Sequence, residues 1–330
     1  MEQTILGPMS GSPRAAVASD GTKEMVPEAT ARVGQPRWHG HPYNRAGLYR
    51  LVETLSVLPR ALRLSVARRV GQVAPRFLPV ERRAIRKALG AITGASAGRL
   101  DELTVALFRD FAMCFTDLVS TNRQPAARLS GLIGSVTGAE VFDTLPGGIV
   151  SVTAHVGNWE LAGRLLANRL ARRTHVVVSP EEAPELQRWV RRDGEGMRFV
   201  SRARPSVGVE LVAAVRRGEV VALQADRALG NGGDVWISFF GVPAPFPLGP
   251  FVLARAAGVP VVPAFCVLGR RYRYDVRIAT PIRVGRGEEA AAARAWVALL
   301  ESVVREHPTQ WFNFFDVWSP FAGPSGDDDA

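Results

Sequence analysis

The chain has 330 residues, 47% of them hydrophobic and 8% aromatic, enough for a sizeable core and too many for wholesale disorder. Two cysteines, Cys114 and Cys266, exclude a disulfide framework and a cysteine-built zinc site, and suit a reducing compartment. The formal net charge is +10, and residues 45–90 hold eleven Arg or Lys against only Glu53 and Glu81, a local excess of +9. Charge so concentrated points to an anionic partner (phospholipid, an acidic carrier protein or nucleic acid) or to a solvated helix face.

Residues 1–44 mix Gly, Pro, Ser and charge without the apolar core of a signal peptide, and read as a disordered tail. From Gly47 to Val73 the apolar residues Leu48, Leu51, Val52, Leu55, Leu58, Leu62, Val66 and Val70 recur at helical spacing. Arg50, Arg60, Arg63, Arg68 and Arg69 are interspersed, and Pro59 divides the run. Such a helix either lies in the headgroups of an anionic bilayer or packs on its own domain. Helices follow over 80–94 and 99–121, then a weaker segment over 125–143. The longest uncharged run, Val235 to Ala254, carries Pro243, Pro245, Pro247 and Pro250 and therefore forms no membrane-spanning helix.

After Gly148 short apolar runs alternate with helical patterns. The expected strands are Ile149–Thr153, His175–Ser179, Arg198–Val200, Val220–Leu223, Trp236–Phe240, Val259–Val267 and Tyr272–Ala279. Helices are expected over 159–171, 181–193, 206–217, 248–257 and 288–306. The pattern specifies an α/β fold with a mostly parallel central sheet flanked by helices and an amino-terminal helical region. The expected division is a tail over 1–44, one domain over 45–322 and an acidic tail over 323–330. Within the domain, 45–146 is helical, basic and membrane-facing, and 147–322 is the α/β part.

The segment Val152-Thr153-Ala154-His155-Val156-Gly157-Asn158-Trp159-Glu160 carries the chemistry. A strand ends at Ala154, and a helix starts near Trp159 with Asn158 as its cap and Glu160 in its first turn. Five residues along a helix rotate the side chain by about 500°, so His155 and Glu160 meet only if His155 lies on the approaching loop, where Gly157 permits a bend. A carboxylate on one imidazole nitrogen fixes the tautomer and raises the basicity of the other, which can then take a proton from a hydroxyl.

His155-Val156-Gly157-Asn158-Trp159-Glu160 resembles the His-x4-Asp/Glu motif of glycerolipid acyltransferases. It is most similar to the branch that acylates bacterial lipid A and to the related phosphatidylinositol mannoside acyltransferases. Gly196 to Arg202, Val221 to Arg227, Gly258 to Pro263 and the aromatic Gln310 to Trp318 resemble that branch's later blocks, in order, over roughly residues 47–320. Two departures stand out: Asp226-Arg227 replaces Asp-Gln, and the front helix lacks a clean membrane anchor. The resemblance implies an O-acyltransferase with His155 as general base and Glu160 as its partner. It implies substrate-binding parts for Asn158, Trp159, Arg202, Gln224, Asp226 and Arg227, with Arg202 on the acceptor's anionic group and Asp226 orienting Arg202 or an acceptor hydroxyl. The donor is then an acyl carrier protein or coenzyme A thioester, and the acceptor a lipid or glycolipid. No metal or bound organic cofactor is required and no nucleic acid partner is expected. The implied place is the cytoplasmic face of a bacterial inner membrane, bound peripherally. Phe239 to Leu248 reads either as an acyl-channel wall or as a buried loop, and Trp311 to Trp318 as core. The rival reading is a basic membrane- or nucleic-acid-binding protein without chemistry.

Overall fold

A computed structural model describes residues 46–121, 124, 126–170, 172–178, 196–230 and 232–320. The expected helix over 181–193 and both tails lie outside these residues. The front is helical: α1 (Ala46–Thr54), α2 (Arg60–Val73), α3 (Pro79–Thr93), α4 (Ala97–Thr121) and the short α5 (Ala126–Leu129). Pro59 separates α1 from α2 as its fixed φ dictates, with a single 3-10 turn, Leu55–Val57, between them.

The strands are β1 (Ile133–Thr137), β2 (Ile149–Thr153), β3 (Thr174–Val178), β4 (Met197–Ser201), β5 (Val220–Gln224), β6 (Asp234–Phe239), β7 (Val242–Pro247), β8 (Val261–Leu268) and β9 (Tyr274–Ile278). Between and after them run α6 (Trp159–Leu170), α7 (Val207–Arg216), α8 (Gly249–Ala257) and α9 (Glu289–Glu306). Seven strands form one sheet in the order β1-β9-β8-β2-β5-β3-β4. Every neighbouring pair is parallel except β8 with β9. The central strands Ile149–Thr153 and Val261–Leu268 are apolar runs buried along most or all of their length, as strands covered on both faces must be.

Two strands escape the sequence pattern. β1 is short and mostly exposed at the sheet's edge, so it lacks the alternation that marks a half-buried strand. β7 pairs with β6 in a separate antiparallel ribbon. Its Pro243, Pro245 and Pro247 sit at every second position, so the missing N–H groups all fall on one side of the strand and the other side stays free to pair.

One apolar cluster lies between the sheet and α7, α8 and α9, where Trp296 stacks on Phe265 with ring centroids 5.3 Å apart. A second joins α2, α3 and α4 to Cys266, Leu268, Tyr274 and Phe312, so the helical front packs directly on the sheet. Each fully buried aliphatic or aromatic side chain contributes about 1.5–3 kcal/mol to such clusters. α2 buries Leu64, Ala67 and Gly71. At Gly71 a Cβ would sit 2.6 Å from the Arg109 Cα, so only glycine lets α2 and α4 cross this closely. The opposite side of α2 leaves Leu62, Val66, Val70 and Val73 exposed. One face of this helix therefore packs on the domain, as the second of its two sequence readings expected, and an apolar face stays exposed.

Candidate active site

β2 and β5 are parallel neighbours, with Val152 beside Leu223 and Thr153 beside Gln224. Two residues further along, the same register brings His155 beside Asp226, just past the carboxyl ends of both strands. The Asp226 carboxylate clasps His155 twice: Oδ2 accepts the His155 backbone N–H at 3.0 Å, and Oδ1 lies 2.8 Å from Nδ1. Oδ2 also accepts the Trp311 indole N–H at 3.0 Å and the Asn313 amide at 3.3 Å. The sequence reading gave the place beside His155 to Glu160; the acid bonded to Nδ1 is Asp226. Glu160 stands in the first turn of α6 as expected.

The Asp226 side chain has no exposed surface. Burial alone would raise its pKa, but the His155 charge and hydrogen bonds and the neighbouring Arg227 outweigh that and hold the carboxyl well below the usual carboxylate range. An ionised carboxylate only accepts, so Nδ1 carries the proton and Nε2 keeps its lone pair. Nε2 makes no hydrogen bond among the described residues. Burial, then Arg227, depress the His155 pKa below its ordinary value, against the opposing pull of Asp226. The imidazole is therefore neutral near pH 7, as a general base must be.

The loop holding His155 is pinned at every residue. Gly157 has φ +56° and its amide donates to the Gln310 carbonyl at 2.9 Å. A Cβ on Gly157 would run into the Cys266 carbonyl, which accepts the Asn158 N–H at 2.8 Å. The His155 carbonyl accepts the Phe312 N–H at 2.8 Å. Asn158 caps α6, its Oδ1 accepting the Leu161 N–H at 3.2 Å. Trp159 lies edge-on to the imidazole, with centroids 4.9 Å apart. Gln310 extends β8 through its side chain, giving its amide to the Leu268 carbonyl and taking the Leu268 N–H.

The other expected residues separate into groups. Gln224 ends β5 beside Thr153. Arg227 donates from Nε to Asn313 Oδ1 at 2.7 Å and from Nη2 to the Phe312 carbonyl at 2.9 Å, so two of its donors hold the terminal segment rather than facing a ligand. Arg202 follows β4, its N–H bonded to the Val178 carbonyl and its partly buried guanidinium within the field of Asp234. β4 lies three strands from β2, about 14 Å between the two strands at ordinary strand spacing, and Arg202 and His155 both follow the carboxyl ends of their strands. That edge is where ligands of open α/β sheets bind. Trp311, Asn313 and Gln310 were missed as site residues, because a buried aromatic segment reads as core, and Trp311 and Phe312 are indeed buried. Phe239 to Leu248 spans the β6–β7 turn, with Ala244 and Phe246 buried.

Among the described residues no group of His, Cys, Asp and Glu is placed to hold a metal ion. No helix among them is long and apolar enough to cross a membrane.

Residues 47–319 match the family model of the bacterial lipid A biosynthesis acyltransferases. The chain is also similar to the phosphatidylinositol mannoside acyltransferases of Mycobacterium tuberculosis strains CDC 1551 / Oshkosh and ATCC 25618 / H37Rv. Each is 27% identical over 246 residues, which cover 71% of this chain and 76% of the relative.

Proposed function

Because the chain belongs to the bacterial lipid A biosynthesis acyltransferase family, and so is an O-acyltransferase acting on lipid or glycolipid acceptors, we propose that it moves a fatty acyl group from a thioester to an acceptor hydroxyl with His155 as general base. Nε2 takes the hydroxyl proton as the oxygen attacks the thioester carbonyl. The tetrahedral intermediate collapses, the C–S bond breaks, and the leaving thiolate receives the proton from the imidazolium. No acyl-enzyme forms. Asp226 holds the tautomer and stabilises the imidazolium, as the acid does in a Ser-His-Asp triad. Glu160 is retained as a second acid of the motif, placed at the α6 N-terminus where the helix dipole favours it. The observation that carries this reading is the bonded His155–Asp226 pair, whose Nε2 makes no hydrogen bond among the described residues.

Arg202 is proposed to hold the acceptor's anionic group, a distance along the edge that suits a large headgroup. Trp159, edge-on to the imidazole, Asn158, which caps the helix beside it, and Gln224, at the end of β5, are proposed to contact the substrate. The donor is an acyl carrier protein or coenzyme A thioester, and the chemistry asks for no metal or organic cofactor. The protein is proposed to work peripherally on the cytoplasmic face of the inner membrane. In support, Arg68, Arg69, Arg76 and Arg83 are exposed and make no ion pair among the described residues, beside the open apolar face of α2.

The test is to incubate the protein with a radiolabelled acyl thioester and a bacterial lipid extract. New labelled lipid made by the wild type and absent with His155→Ala supports the proposal. No labelled lipid with either coenzyme A or carrier-protein donors counts against it.

A further inference from the structure

The turn joining β8 to β9, residues Gly269 to Arg273, is built against its own sequence. Arg271 and Tyr272 have φ +54° and +56°, and the Arg273 N–H bonds back to the Arg270 carbonyl at 3.2 Å. Two central residues at positive φ make a type I′ turn, which Asn-Gly fills without strain and bulky residues fill at a cost. Here Arg and Tyr fill it, flanked by Arg270 and Arg273, and all four are exposed. Arg270 and Arg271 make no ion pair among the described residues. Strain held in place by surrounding structure points to a use for the side chains that cause it.

The surroundings do hold it. Arg60, the first residue of α2, donates from Nη2 to the Tyr272 carbonyl at 2.6 Å. The same guanidinium grips the fully buried Asp117 through two bonds of 3.0 and 2.7 Å, and Asp117 accepts the Tyr274 hydroxyl at 2.9 Å. One residue group thus fixes the turn to the start of α2. There Arg63, itself buried, pins the Ser56 and Leu58 carbonyls and leaves Val57 86% exposed between them. The turn also extends β8 past Cys266, the residue that Gly157 and Asn158 lie against. It therefore projects from the same edge of the sheet as His155.

We propose that the Arg270–Arg273 turn and the Leu55–Val57 turn form a single docking rim that seats the catalytic edge on an anionic lipid surface. The unpaired arginines meet the phosphates, while Tyr272, Val57 and Leu55 enter the interface. Exposed apolar side chains on the two turns that Arg60 ties together, Tyr272 beside the cations and Val57 and Leu55 ahead of α2, favour a bilayer over an acidic carrier protein, which would need the charge but not the apolar points. This rests on the reading of the enzyme as peripheral, and it names the parts that make contact, of which the Arg270–Arg273 turn lies outside the cation-rich segment 45–90.

The test uses the full chain and two variants. Arg271→Asn with Tyr272→Gly removes both side chains and supplies the residues a type I′ turn prefers, so its melting temperature should hold or rise. Arg270→Glu with Arg271→Glu reverses the charge. Co-sedimentation is measured with phosphatidylglycerol/phosphatidylcholine vesicles and with pure phosphatidylcholine vesicles. Each lost cation should weaken binding to the anionic vesicles about fivefold, the equivalent of about 1 kcal/mol, with a larger loss for the reversal and little change on neutral vesicles. Acyl transfer to a short-chain, water-soluble acceptor should be unchanged, which separates this proposal from the catalytic one. Both variants binding anionic vesicles like the wild type would overturn it, as would vesicle binding that is intact beside lost affinity for acyl carrier protein.

Discussion

Replacing Asp226 by Asn separates the acid that orients His155 from the acid that the motif alone suggests. The change keeps shape and removes a charge that accepts two bonds from His155 and one each from Trp311 and Asn313. With the amide nitrogen turned toward Nδ1, the side chain donates where the carboxylate accepted, and the ring proton moves to Nε2, which can then no longer take one from the acceptor. The same exchange in a Ser-His-Asp triad costs about 10⁴-fold in turnover, so a fall of about 10²–10⁴-fold in kcat is expected, or about 3–5 kcal/mol of barrier at 1.36 kcal/mol per decade. The Asp226 negative charge raises the His155 pKa, so its loss should move the acid limb of the pH–rate profile further down in pH. The double variant with His155→Ala should be little worse than either alone, because the two side chains act as a unit. The assay is steady-state transfer of labelled acyl chains, with circular dichroism to confirm folding. A folded Asp226→Asn enzyme within tenfold of wild type, beside a Glu160→Gln enzyme as inactive as His155→Ala, would refute the reasoning and return the orienting role to Glu160.

Three other outcomes follow from the same geometry. Trp311→Phe keeps an aromatic ring and deletes one of the donors to Asp226; it should cost about 1.5–3 kcal/mol of stability, the ordinary worth of a hydrogen bond to a charged group, measurable by urea unfolding. Gly157→Ala forces a side chain into positive φ and into the Cys266 carbonyl, so the melting temperature should drop and transfer should fail together. The proposed mechanism needs neutral His155, whose pKa lies below the ordinary 6.5; the acid limb of kcat/KM should therefore have its midpoint below 6.5. The same depression means that the unfolded chain binds a proton first on acidification, so this residue's contribution to stability also falls below that pH.

Much of the fold was legible because its signals are local. β-branched runs such as Ile149–Thr153 mark buried strands, Pro59 breaks the front helix where its ring requires, and Asn158 caps α6 as its side chain predicts. β1 was hidden because an exposed edge strand carries no apolar alternation, and β7 because its prolines suit a ribbon only once their spacing is matched to a partner. The site divides in the same way. His155 and the bend at Gly157 belong to one contiguous motif. Asp226 sits 71 residues downstream, and its contact with His155 depends on the register of β2 with β5, which no local pattern encodes. Trp311 and Asn313 are further still, and their polar atoms matter only because the terminal segment folds back over Asp226. Arg60 and Arg63 were counted with the partner-facing cations, yet one pairs with buried Asp117 and the other bonds backbone carbonyls. Net charge alone cannot sort such structural cations from free ones.

The central claim is that an unshared Nε2 on a fixed imidazole takes the acceptor's proton. Turnover of purified His155→Ala against wild type, with a defined lipid acceptor and acyl thioester, measures it most directly. The account predicts a folded variant slower by about 10²–10⁴-fold; a folded variant that turns over at the wild-type rate would contradict it.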